Sequence, residues 1–123
     1  MKKILLVEDD PFLIDIYTSK LEKEGFSVKI SESGEDCFKK INQEKPDLIL
    51  LDIILPKIDG WEVLKKIKSD EKLKNIKIII LSNLYQKEDI EKGLSLGADK
   101  YLIKANYDPK EVIEEIKKIL NKK

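Results

Sequence analysis

The sequence predicts an α/β fold: a doubly wound, five-stranded parallel sheet with helices on both faces. Short apolar runs alternate with amphipathic segments along the whole chain, five of each. Several runs are almost free of polar residues, as in strands buried on both faces of a parallel sheet. The segment after each run is long enough for the right-handed crossover that brings a chain back to the next parallel strand.

The elements follow in order. Residues 4–7 (ILLV) read as the first strand. Residues 11–25 read as a helix with Phe12, Leu13, Ile16, Tyr17 and Leu21 toward the core, and Gly25 just past its end as a C′ residue. Residues 26–30 (FSVKI) form a short alternating strand. Residues 33–45 form a helix with Cys37, Phe38 and Ile41 on one side, stopped by Pro46. Residues 47–52 (DLILLD) are a continuous apolar strand, and residues 59–70 a helix with Trp61, Leu64 and Ile67 on one face. Residues 76–82 (IKIIILS) are the fourth strand, residues 87–97 a helix ending at Gly97, and residues 100–104 the last strand. Residues 108–120 close the pattern, with Asp108 as N-cap, Pro109 at the first helical position, and Val112, Ile113, Ile116, Ile119 and Leu120 facing inward.

Length and composition narrow the function. At 123 residues, 41% apolar and 39% charged, the chain is expected to be a single globular domain over residues 1–123. Formal net charge is zero and every cationic side chain is Lys, so neither a basic field nor Arg clamps point to direct nucleic-acid contact. There is no His, which excludes His metal sites, His bases and a phosphohistidine carrier. The one cysteine, Cys37, lies in a helical pattern and reads as packing. No apolar run is long enough for membrane insertion, and Met1-Lys2-Lys3 precedes too few apolar residues for a signal peptide; the expectation is a cytoplasmic protein.

Asp52 poses the functional question, because a lone carboxylate inside an apolar run is costly unless it reaches an edge or finds partners. Ligands of such sheets bind beyond the carboxyl ends of the strands. There the sequence places Glu8, Asp9 and Asp10 after strand one, Asp52 after strand three, Ser82 and Asn83 after strand four, and Lys104 after strand five. Converging carboxylates repel one another unless a cation neutralises them, and hard oxygen donors suit Mg²⁺. Asp52 then reads as a nucleophile for phosphoryl transfer, with Ser82 and Lys104 positioned for the phosphoryl oxygens. Asp10 before Pro11, and Asp59 before Gly60, read instead as helix caps.

"ILLVEDD", "DLILLDIILPKIDGWEVL", "IIILSN" and "GADKYLIKA", in that order and spacing, resemble the receiver domains of two-component response regulators, of the chemotaxis-regulator-like kind, over essentially the whole chain. The resemblance implies a flavodoxin-like (βα)₅ fold with strand order 2-1-3-4-5. It implies Asp52 as phosphoacceptor, and Mg²⁺ held by Glu8, Asp9, Asp52 and the backbone carbonyl of Ile54. Ser82 and Tyr101 would be the switch pair, Tyr101 turning inward on phosphorylation, and Lys104 the catalytic lysine. The implied donor is a sensor histidine kinase or phosphotransfer protein. The output would be a downstream protein target, a phosphate relay or a phosphorylation-dependent dimer, read from the fourth helix, fifth strand and fifth helix, with Leu84, Tyr85, Ile90 and Tyr107 as contacts.

Two departures stand out. Ala105 follows the lysine where the family usually has proline, so a trans bond is expected. Asn83 stands where the family usually has a small residue. Ile54 and Leu84 flank the site with apolar groups, which predicts slow loss of phosphate. The competing reading is a pseudo-receiver, an interaction module that is never phosphorylated; it would be expected to lack an acid, the hydroxyl or the lysine. A dehalogenase-like phosphatase would want a second Asp two residues after Asp52, where this chain has Ile54, so turnover of outside substrates is not expected.

Overall fold

The computed structural model describes residues 1–121. Five strands, β1 (Lys3–Val7), β2 (Ser27–Ser31), β3 (Leu48–Leu51), β4 (Lys77–Ser82) and β5 (Lys100–Ile103), form one sheet in the order β2-β1-β3-β4-β5, every neighbouring pair parallel. Between them run α1 (Pro11–Lys23), α2 (Gly34–Gln43), α3 (Gly60–Ser69) and α4 (Lys87–Ser95), and α5 (Pro109–Leu120) follows β5.

The period of two along each strand divides the core cleanly. Ile4, Leu6, Leu48, Leu50, Ile79, Leu81 and Leu102 face α1 and α5, where Ile14, Tyr17, Leu21, Val112, Ile113 and Ile116 complete one cluster. Leu5, Val7, Ile49, Leu51, Ile78 and Ile80 face the other way, onto Cys37 and Ile41 of α2 and Val63, Leu64 and Ile67 of α3.

Caps fix the helix ends as the sequence suggests. Asp10, Asp59 and Asp108 each accept a backbone N–H of the first turn, and Asp108 with Glu111 forms a reciprocal capping box. Gly25 adopts φ +90° after α1, with its N–H on Glu22 O and the Phe26 N–H on Leu21 O; this closing motif needs a left-handed residue.

Two expectations change. Phe12 does not face the core: it is 71% exposed, and the buried stripe of α1 is Ile14, Tyr17 and Leu21. Residue 12 lies two positions before Ile14, about 200° around the helix, so it cannot share that stripe. Beyond β5, Lys104–Asn106 forms a short 3₁₀ turn that the sequence pattern did not reveal. The peptide bond before Ala105 is trans, as expected.

The sheet order makes β1 and β3 the point where the winding reverses. In register, Val7 pairs with Leu51, Leu51 with Ile80, and Ser82 with Ile103. The residues just past these pairs therefore share one rim. No helix among the described residues is long and apolar enough to cross a membrane.

Candidate functional site

The backbone around the acids is held by neighbouring strands. Asp52 N–H donates to Val7 O at 3.0 Å, and Glu8 N–H to Ser31 O at 2.9 Å. The start of α3 presses on the same segment: a Cβ on Gly60 would lie 2.5 Å from Ile53 Cα and 2.6 Å from Asp52 O. Only glycine admits that approach.

Asp52 answers its own question by finding partners. It is 6% exposed and Glu8 3%, while Asp9 is exposed. Glu8, Asp9 and Asp52 each offer a carboxylate oxygen within 4.8 Å of the others, a hard-donor cluster able to bind a metal ion. Lys104 Nζ bridges two of them, 2.9 Å from Glu8 Oε1 and 3.0 Å from Asp52 Oδ2. The cleft is lined by Glu8, Asp9, Asp10, Asp52, Ile54, Asn83 and Lys104.

The electrostatics follow from this crowding. Burial lifts the Glu8 carboxyl above its usual range; the Lys104 hydrogen bond pulls it back, and the charge of Asp52 adds to the rise. For Lys104, burial disfavours the ammonium, but hydrogen bonds to Glu8 and Asp52 outweigh it and the pKa ends above the ordinary lysine value. Three acids with one lysine leave a negative excess, the condition that favours a bound cation.

Asp10 lies on the cleft wall, but its carboxylate is committed to the Phe12 N–H at 2.9 Å, as a cap. Ile54 also stands on the wall, 58% exposed, and its N–H lies 3.4 Å from Asp52 Oδ1. Leu84 does not flank the cleft: it packs on the core of the α2–α3 face, and the wall beside β4 is Asn83.

Ser82 and Tyr101, the two residues expected to form a switch pair, meet at one backbone position, Leu84. Ser82 is fully buried and its hydroxyl oxygen accepts the Leu84 N–H at 3.2 Å. Tyr101 O–H donates to the Leu84 carbonyl at 2.7 Å. Burial raises the Tyr101 phenol above its usual pKa, with the neighbouring Ser82 hydroxyl working against that rise. Tyr101 is half-buried, its ring packed against the α2–α3 side of the core. Of the surface positions read as partner contacts, Tyr85 is 65% exposed, Ile90 half-buried, and Leu84 and Tyr107 packed against the core; the exposed Leu94 was not anticipated. The Lys104–Glu8 pair was also missed, since nothing in sequence spacing tells which acid a lysine reaches.

Comparison with known proteins agrees with this geometry. The family model of the response regulator receiver domain matches residues 4–117. The chain is 39% identical over 121 residues to the alkaline phosphatase synthesis transcriptional regulatory protein PhoP of Bacillus subtilis, covering 98% of this chain and 49% of that protein. The chain thus spans about half the length of the curated relatives it matches. Among solved structures, a CheY-like receiver domain protein from Methanospirillum hungatei superposes with a TM-score of 0.89 at 33% identity, over 98% of this chain and 94% of that one. The Mn²⁺-bound form of response regulator Rcp1 superposes at 0.86 with 29% identity, over 96% and 93%. Fold, acidic rim, bridging lysine and family match coincide over the same residues, and the chain belongs to the response regulator receiver domain family.

Proposed function

We propose that this domain accepts a phosphoryl group on Asp52 from a phosphohistidine of a sensor kinase or phosphotransfer protein and signals through the surface of α4, β5 and α5. The observation that carries this is Lys104 Nζ bridging the buried Asp52 and Glu8 beside the exposed Asp9. A carboxylate oxygen of Asp52 forms the new bond to phosphorus as the histidine N–P bond breaks, and the departing nitrogen keeps the bonding pair. Lys104 stays on the developing charge of the transferred group, and Ser82 supplies a hydroxyl to another oxygen.

Glu8, Asp9, Asp52 and the carbonyl of Ile54 are the Mg²⁺ ligands in this reading; the Ile54 ligand rests on family resemblance, the acids on their geometry. When bound, Mg²⁺ neutralises charge on the phosphoryl oxygens. Ile54, exposed at the rim, shields the acyl phosphate from water, so the phosphate is lost slowly. With Ile54 in place of a second acid, the domain does not turn over outside substrates. Net charge of zero and the lack of Arg support contacts with protein rather than nucleic acid.

The test is incubation with acetyl phosphate and Mg²⁺, followed by intact mass. One phosphoryl group is expected on the wild-type chain, and none on Asp52→Asn or without a divalent ion. An equal adduct on Asp52→Asn, or none on wild type with either acetyl phosphate or a phosphohistidine protein as donor, overturns the reading.

A further inference from the structure

Within α4, Gly93 is the single buried residue, so the face that ties this helix to the domain carries no side chain at its centre. A Cβ there would lie 2.7 Å from Ile80 Cδ1, 2.8 Å from Tyr101 Cδ2 and 3.3 Å from Tyr101 Cε2. The Tyr101 ring thus lies where a side chain at 93 would be, with its hydroxyl on the Leu84 carbonyl at 2.7 Å. Gly93 is unfavourable in a helix interior, where Ala would favour folding by about two- to fivefold. Its φ is not in the left-handed region, unlike that of Gly97 four residues on. Backbone conformation therefore does not explain a glycine at 93; contact does.

We propose that Gly93 is the positioning residue of the switch, the seat that lets Tyr101 sit inward beneath α4. Helix and ring occupy one space, so a side chain at 93 turns Tyr101 out or lifts α4 off Ile80. Lys92, next along the helix, places its Nζ 4.5 Å from the centre of the Trp61 ring on α3. Trp61 is the one tryptophan, so its fluorescence reports where α4 lies. The inference rests on the phosphorylation switch proposed above for the meaning of the movement, but the packing is testable without it.

Gly93→Ala, Tyr101→Ala and the double variant form a cycle with the wild type. Thermal melts are expected to show coupling: Gly93→Ala lowers the midpoint when Tyr101 is present, and by much less when residue 101 is Ala and only the Ile80 methyl has to give way. If Gly93→Ala alone fails to fold, the double variant must fold. A second arm titrates beryllofluoride, a phosphoryl mimic, with Mg²⁺ and reads Trp61. Gly93→Ala should weaken binding about fivefold or more, and should have no further effect in the Tyr101→Ala background. A midpoint shift of the same size in both backgrounds, or a double variant that does not fold, overturns the seat. Normal beryllofluoride binding by Gly93→Ala overturns the positioning role. Failure of the wild type to bind beryllofluoride counts instead against the proposed function, and the melting cycle still decides the seat.

Discussion

Lys104→Met is the sharpest structural perturbation of the site, because it keeps the stem's bulk and removes only the cation. In the folded chain the Lys104 side chain is 15% exposed and faces Glu8 and Asp52, 3% and 7% exposed, at 2.9 and 3.0 Å. Removing one partner of a buried ion pair costs about 3–5 kcal/mol. The cleft is open on one side, so the lower end, about 3 kcal/mol, is expected in the metal-free protein. For a domain of this size that lowers the melting midpoint by roughly 10 °C or more. The sign with pH follows from the two shifted groups. Lys104 has a raised folded pKa, so its contribution is intact below the unfolded lysine value and is lost only as alkaline pH passes the folded one. Glu8 is also raised, so mild acid protonates it and removes one of the charges that Lys104 neutralises. The deficit should therefore shrink from neutral to mildly acidic pH, and shrink again with saturating Mg²⁺ at neutral pH. Urea unfolding of both chains in these conditions measures it. A deficit below about 1 kcal/mol, or one indifferent to pH and Mg²⁺, would refute the reasoning.

Glu8→Gln should stabilise the metal-free domain at neutral pH. A carboxyl with a raised folded pKa contributes most below its unfolded value and loses that contribution as pH rises through the folded one. The advantage should vanish in acid and reverse with Mg²⁺, as urea melts with and without the ion will show. Gly60→Ala should cost about 2 kcal/mol by overpacking against the Asp52–Ile53 backbone. Denaturant melts read that loss, and phosphorylation by acetyl phosphate should slow as Asp52 is displaced. Cys37 is fully buried, and burial pushes its thiol up to about 12. A thiol reagent should leave the native chain unlabelled at neutral pH and label it fully in urea.

Much of the fold was legible because the strands bury both faces. ILLV, LILL and KIIILS could hardly be anything but central parallel strands, and Asp10, Asp59 and Asp108 announced the helix starts they cap. The acids were legible as a group because parallel strands end on one rim. α1 was misread at Phe12 because apolar residues at 12, 13, 14, 16, 17 and 21 spread over an arc of about 200°, wider than one buried stripe, and Phe12 lies at its edge. The reach of Lys104 to Glu8 as well as Asp52 depends on the 3₁₀ turn after β5, which no apolar period marks. Leu84 turned away from the cleft because its backbone is bonded by both Ser82 and Tyr101, a contact between residues 17 positions apart. Nothing in the apolar pattern of residues 87–97 singles out Gly93; the Ile80 methyl and the Tyr101 ring against it appear only in the folded chain.

The central claim is that Asp52 carries the phosphoryl group as an acyl phosphate, and borohydride trapping tests it most directly. Borohydride reduces an aspartyl phosphate to homoserine and leaves a free carboxylate untouched. After reaction with acetyl phosphate and Mg²⁺, peptide mass mapping should find homoserine at position 52 and nowhere else. Homoserine at Asp9 or another aspartate, the longer alcohol that a reduced glutamyl phosphate would leave at Glu8, or a phosphorylated chain with no homoserine at all, would contradict the account.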